Sequence, residues 1–156
     1  MDLFDSNIWL HGCLFRDSEP ADLVNEAARG ERDVYVSAYI FNEVISRLEN
    51  PKSRYEPDHI ERAKQLFTQI AVHSPSVDMP SQSSVERMDH RQEAIAPSNS
   101  FLGELLDIQA KDAPVLVAAW GLNRHIDLYT CDRAFAACDL SKYGIDYIPI
   151  YHVEPP

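Results

Sequence analysis

Four acids stand where a carboxylate has more to do than hold water: Asp5, Glu43, Asp112 and Asp132. Asp5 follows the apolar pair Leu3-Phe4 and opens the triplet Asp5-Ser6-Asn7, after which Ile8, Trp9 and Leu10 resume an apolar run. Such a triplet is a good helix cap, because its side-chain oxygens accept the first free backbone N–H groups. It also stands just past the carboxyl end of a strand, where open α/β sheets bind ligands. Both readings remain open for Asp5 taken alone. Glu43 lies beside the apolar face formed by Ile40, Val44, Ile45 and Leu48, about two turns into a helix that follows a strand. Asp112 precedes Pro114 and the apolar run from Val115 to Trp120, and could simply cap it. Asp132 ends Thr130-Cys131-Asp132, directly after Leu128-Tyr129. Carboxylates gathered from four such places cannot all stay ionised without cations. Oxygen donors favour Mg²⁺ or Mn²⁺ over zinc. A divalent ion held this way suits phosphodiester hydrolysis, since it lowers the pKa of a bound water and neutralises phosphate charge.

The elements needed to bring the four together are legible in the pattern. Short apolar strands are expected at 3–4, 33–37, 127–131 and 147–151, with a further extended piece at 74–79. Helices are expected at 8–15, 21–29, 37–49, 58–72, 81–95, 101–108, 110–124 and 133–139. The helix at 110–124 is apolar nearly all round and reads as buried. Residues 50–57 read as a polar turn with two prolines, and 96–100 as the most loop-like segment, suited to a lid or insertion. Strands alternating with helices imply a parallel sheet covered on both faces, a three-layer α/β/α fold. In such a sheet the four acids gather at one edge.

The composition bounds the alternatives. A chain of 156 residues with 45% hydrophobic side chains has the material for one globular domain. It is expected to run over 1–152, with 74–100 as a variable insertion or lid and 153–156 as an irregular tail. The acidic start Met1-Asp2 is unlike a signal peptide. No apolar run reaches the roughly 18 residues of a membrane span. Cys13, Cys131 and Cys138 are odd in number and lack CxxC spacing, which reads as reduced thiols in a cytoplasmic protein. None of the six histidines forms a zinc pattern. Alternation directs Cys131 into the core, away from Thr130 and Asp132. Asp107 and Asp139 read as solvated helix residues, Asp127 as a turn acid, and Trp9 and Trp120 as core. The net charge of −11, from 25 acids and 14 bases, is unusual for a protein that meets nucleic acid. It fits a cation site bridging to an anionic substrate, or an acidic surface of the kind found in salt-adapted proteins.

Taken in order, these motifs resemble the PIN-domain ribonucleases, and most closely the VapC-like toxins of type II toxin–antitoxin pairs. The resemblance rests on Phe4-Asp5-Ser6-Asn7, on Glu43 within Ile40-Phe41-Asn42-Glu43-Val44, on Asp112 with the Ala113-to-Ala119 run, and on Thr130-Cys131-Asp132-Arg133-Ala134-Phe135. It implies a metal-dependent endoribonuclease using Mg²⁺ or Mn²⁺. Asp5, Glu43, Asp112 and Asp132 would hold the metal, Asp5 and Asp112 directly, with Asn7 and Thr130 in support. It further implies an RNA substrate, an antitoxin partner and a homodimer. The chain is longer than the compact toxins, and its bases (Arg47, Lys52, Arg54, Arg62, Lys64) are scattered. A catalytically idle PIN-like scaffold for RNA processing is the alternative; the presence of all four acids argues against it. A phosphatase would want a second Asp two residues after Asp5, where the chain has Asn7.

Overall fold

A computed structural model describes residues 1–50 and 52–156. Pro51, one of the two prolines of the turn expected at 50–57, lies outside them. Strands β1 (Asp2–Phe4), β2 (Val34–Tyr35), β3 (Val77–Asp78), β4 (Asp127–Thr130) and β5 (Ile150–His152) form one all-parallel sheet in the order β3-β2-β1-β4-β5. The α/β fold expected from the sequence is the one observed. Leu3 lies opposite Tyr35 on one side and Leu128 on the other, so β1 is central and its apolar residues are fully buried.

Helices α1 (Ser6–Leu14) and α2 (Glu19–Ala28) lead from β1 to β2, and α3 (Ala38–Leu48) and α4 (Pro57–His73) from β2 to β3. Helices α5 (Gln82–Arg87), α6 (His90–Ile95), α7 (Pro97–Leu106) and α8 (Ala113–Gly121) lead back to β4. Helix α9 (Arg133–Ala136) and a 3-10 turn, Leu140–Tyr143, lead to β5. The strand order steps one way from β1 to β3 and the other way from β1 through β4 to β5. Crossovers of one hand therefore cover opposite faces. The order reverses between β1 and β4, and such sheets bind ligands at the carboxyl ends of the strands at that point.

Caps set the helix starts. Ser18 Oγ accepts the Ala21 N–H at 3.3 Å ahead of α2, with Pro20 in its first turn, and Ser37 Oγ accepts the Ile40 N–H at 3.2 Å ahead of α3. The core centres on Trp9, whose ring lies 5.4 Å from those of Phe4 and Phe67. Gly12 lets α1 and α2 meet: a Cβ there would stand 2.5 Å from Val24 Cγ2 and 2.7 Å from the Pro20 carbonyl oxygen.

Several expectations are corrected. Residues 96–100 are the start of α7 rather than a loop. Pro97 takes the first helical position, where its missing N–H costs nothing, and Asn99 is buried with Nδ2 donating to the Glu93 carbonyl at 2.7 Å. The single helix expected at 81–95 is two, because Asp89 interrupts it and caps α6 through the Arg91 and Gln92 N–H groups. Helix α8 is not buried all round: Val117 is 48% exposed and Trp120 50%, three residues apart on one outward stripe. Trp120 is therefore a surface residue and Trp9 a core one. Asp127 is the first residue of β4, Asp107 is the left-handed residue that ends α7, and Asp139 caps the 3-10 turn. Cys131 is half-buried rather than in the core. All three cysteines are free thiols, and among the described residues no helix is long and apolar enough to cross a membrane.

Candidate functional site

Asp5 sits at the β1/β4 reversal because of its neighbours on both strands. Its N–H donates to the Tyr129 carbonyl at 2.9 Å, extending the pairing one residue past β1. Its side chain caps α1, with one carboxylate oxygen accepting the Ser6 N–H at 2.7 Å. The other oxygen accepts from Asn7 Nδ2 at 2.7 Å and from the Thr130 hydroxyl at 2.8 Å. The capping expected of Asp5 is observed, and the same side chain is also held by Thr130 of the neighbouring strand.

Asn7 and Thr130 form the frame around it. Asn7 Oδ1 accepts the Cys131 N–H at 2.9 Å, and Asn7 Nδ2 also reaches Thr130 Oγ1 at 3.2 Å. Thr130 Oγ1 in turn accepts the Asp132 N–H at 3.1 Å. The triplet after β1 is thereby stitched to the triplet after β4. Burial pushes the Cys131 thiol, which lies between them, up to about 12, so it stays protonated and is no nucleophile.

The other three acids approach from separate elements. Glu43, on α3, accepts from the Ser6 hydroxyl at 2.5 Å. Asp112, just before α8, is buried, and its nearest cation is Lys111 Nζ at 3.6 Å. Asp132 Oδ1 caps α9 through the Ala134 and Phe135 N–H groups at 2.8 and 3.1 Å, and its Oδ2 accepts from Gln109 Nε2 at 3.3 Å. The sequence does not single out Ser6, Gln109 and Lys111 as site residues, although each adjoins or contacts one of the four acids. Tyr39 is missed too. It lies one turn before Glu43, and its buried hydroxyl donates to the Lys111 carbonyl at 2.8 Å, holding the segment before α8 against α3.

The electrostatics record how close the acids are. Burial pushes the Asp5 carboxyl up to about 6, against an ordinary 3.8. The Thr130 hydroxyl opposes the rise, and the charges of Asp112 and Glu43 add to it. Burial likewise pushes Asp112 up to about 6; Lys111 opposes, while Asp132 and Glu43 add. The four acids thus share one field, with Lys111 as the cation beside it. Among the described residues no three His, Cys, Asp or Glu side chains converge tightly enough to hold a metal ion as they stand. The donor chemistry, oxygen alone with excess negative charge, suits a hard divalent cation that keeps part of its water.

Residues 3–119 match the family described as the PIN domain. That stretch contains Asp5, Glu43 and Asp112 and ends short of Thr130 and Asp132. No curated protein matches the chain. With well over half its length matched, on an α/β fold with an all-parallel sheet and polar side chains joined across the β1/β4 reversal, the chain belongs to the PIN-domain family, whose members are generally nucleases.

Proposed function

We propose that the protein is a metal-dependent endoribonuclease that hydrolyses RNA phosphodiester bonds, with Asp5, Glu43, Asp112 and Asp132 as its acidic centre. The observation that carries this reading is the pair of buried acids Asp5 and Asp112, both raised to about 6 by burial and by neighbouring acidic charge. Holding buried carboxylates together with only Lys111 beside them among the described residues lowers stability unless a further cation joins them. Asp5 and Asp112 would hold Mg²⁺ or Mn²⁺ directly, and Glu43 and Asp132 through water. Bound there, the ion supplies a water of lowered pKa and neutralises charge on the attacked phosphate. The chain's own groups do the rest. Thr130 and Asn7 fix the Asp5 carboxylate by donating to one of its oxygens, and the other, which accepts the Ser6 N–H, keeps one lone pair for the ion. The Ser6 hydroxyl orients Glu43. Lys111 stands beside Asp112, where a phosphate oxygen would meet its ammonium group.

The toxin role is part of the proposal: an antitoxin chain would silence the centre, and the enzyme would act as a homodimer in the cytoplasm. An exposed apolar face supports a protein partner. Phe101 is 67% exposed, Leu105 52% and Trp120 50%, and clustered apolar surface of this kind marks interaction sites.

Cleavage of RNA by the purified chain with Mn²⁺, Mg²⁺ or EDTA, beside Asp5→Asn, tests the reading. Cleavage should require the metal and fall more than about 100-fold in the variant, beyond the 10–100-fold typical of supporting residues. A wild type inert with every metal would overturn it.

A further inference from the structure

An open groove of about 710 Å³ runs along α3 on the side that faces α5 and α6. We propose that this groove is the track for a single-stranded RNA leading into the acidic centre, with Arg47 and Arg91 as its phosphate contacts. The proposal rests on the nuclease reading above and names the path of its substrate.

Helical spacing joins the groove to the centre. Ser46 and Arg47, which line it, stand three and four residues after Glu43, on the same stripe of α3. At the other side of Glu43, one turn back, the Tyr39 ring lies edge-on to His90, a further lining residue, with centroids 6.5 Å apart. A strand leaving Glu43 along α3 enters the groove directly. The far wall is fixed to the same helix, because Asn42 Nδ2 donates to the carbonyls of Val85 at 2.8 Å and Met88 at 2.9 Å.

Charge is balanced in this groove. The chain carries 25 acids against 14 bases, yet here Arg47 and Arg91 balance Glu49 and Glu86. Some bases elsewhere, Arg29, Arg32, Lys64, Lys111 and Arg133, are committed to carboxylates, and among the described residues others, such as Arg16 and Arg124, are not. Among the described residues neither Arg47 nor Arg91 has a carboxylate within salt-bridge distance, and both are exposed. Two unpaired guanidinium groups beside half-buried Met88 and Ile45 offer phosphate contacts next to an apolar wall for a base. That combination suits single strands, whose bases are free to leave the stack. The volume, about 710 Å³, holds roughly one or two nucleotides, on the scale of ordinary ligand sites.

The test is steady-state cleavage of a fluorescein-labelled single-stranded RNA of mixed sequence by the full chain with Mn²⁺, between about 50 and 200 mM salt. It compares the wild type, Arg47→Ala/Arg91→Ala and Glu86→Gln, with thermal melting as the folding control. The double variant should raise KM about tenfold at low salt with kcat within about twofold. The log–log salt slope of kcat/KM should flatten by roughly 0.7 for each phosphate contact removed. Glu86→Gln should lower KM. If the wild type cleaves RNA and the double variant keeps its KM and salt slope, or loses kcat alone, the track is wrong and the nuclease reading stands. A wild type that cleaves no RNA removes both.

Discussion

Two buried aspartates bracket the three-residue strand β1, and they live in opposite circumstances. Asp2, at the amino end, has Arg32 against it at 2.6 Å, and Arg32 also meets Glu26 at 2.8 Å and the Tyr129 hydroxyl at 3.1 Å. The guanidinium lies over the Tyr129 ring, 5.3 Å from its centre. Burial still holds the Asp2 carboxyl above its ordinary value despite that partner. Asp5, at the carboxyl end, receives only neutral donors among the described residues and shares its field with Asp112 and Glu43. One end of the sheet closes its charge internally; the other leaves negative charge uncompensated. A buried acid with its cation needs nothing further, and a cluster of acids short of cations is where the proposed metal would be held.

The largest effect expected from breaking this contrast is at the structural end. Arg32→Ala strands a buried carboxylate and should destabilise the protein by about 3 kcal/mol, read as the urea midpoint, while metal-dependent cleavage per folded molecule stays unchanged. Equal loss of stability and of cleavage per folded molecule would erase the distinction between the two ends.

Asp112→Asn should act with the opposite sign. Asp112 in the folded protein holds its proton up to about pH 6, the unfolded chain only to about 3.8. Between these values the folded state binds more protons, so stability is lost as pH rises and the loss is complete above about 6. In EDTA at pH 8 the variant should therefore be the more stable, by at most about 3 kcal/mol at 1.36 kcal/mol per pH unit. Below pH 4 the gain should vanish. A variant less stable than the wild type at pH 8 would contradict the charge-strained picture.

A divalent ion should relieve the same strain. At 100 times its dissociation constant it should add about 2.7 kcal/mol to the wild type, seen as a raised Tm. The gain should be absent in Asp5→Asn and intact in Arg32→Ala, and a metal gain that survives Asp5→Asn places the ion elsewhere.

The smallest effect should come from Asn42→Ala, which removes two hydrogen bonds holding α5 to α3. Global stability should fall by about 1 kcal/mol, and trypsin should cut after Arg87 and Arg91 faster. An unchanged cutting rate would mean that α5 is held by other contacts.

Parts of this protein were legible in its sequence for physical reasons. Leu3-Phe4, Val34-Tyr35 and Leu128-Tyr129 are strands because brief apolar runs bounded by polar residues fit short buried strands, and all three lie where expected. Asp5 could be singled out because a polar residue directly after a buried strand caps the next helix or faces the ligand edge of the sheet, and Asn7 and Thr130 through the motifs of the resemblance. Pro97 misled, since proline both breaks a helix and begins one, and the sequence alone does not say which side of it the helix occupies. Trp120 misled because an apolar helix reports what could be buried, not which stripe meets a neighbour.

The local pattern, then, decided the strands, the caps and the acids that stand at strand ends, since these depend on residues a few positions apart. Tertiary structure alone decided that Arg32 reaches Asp2 and that, among the described residues, no cation but Lys111 attends the four acids. The same holds for the hydrogen bonds from Ser6 to Glu43 and from Tyr39 to the segment before Asp112, and for the two unpaired arginines in one groove. Those contacts join residues dozens of positions apart, and which of them form depends on the order in which the strands pack.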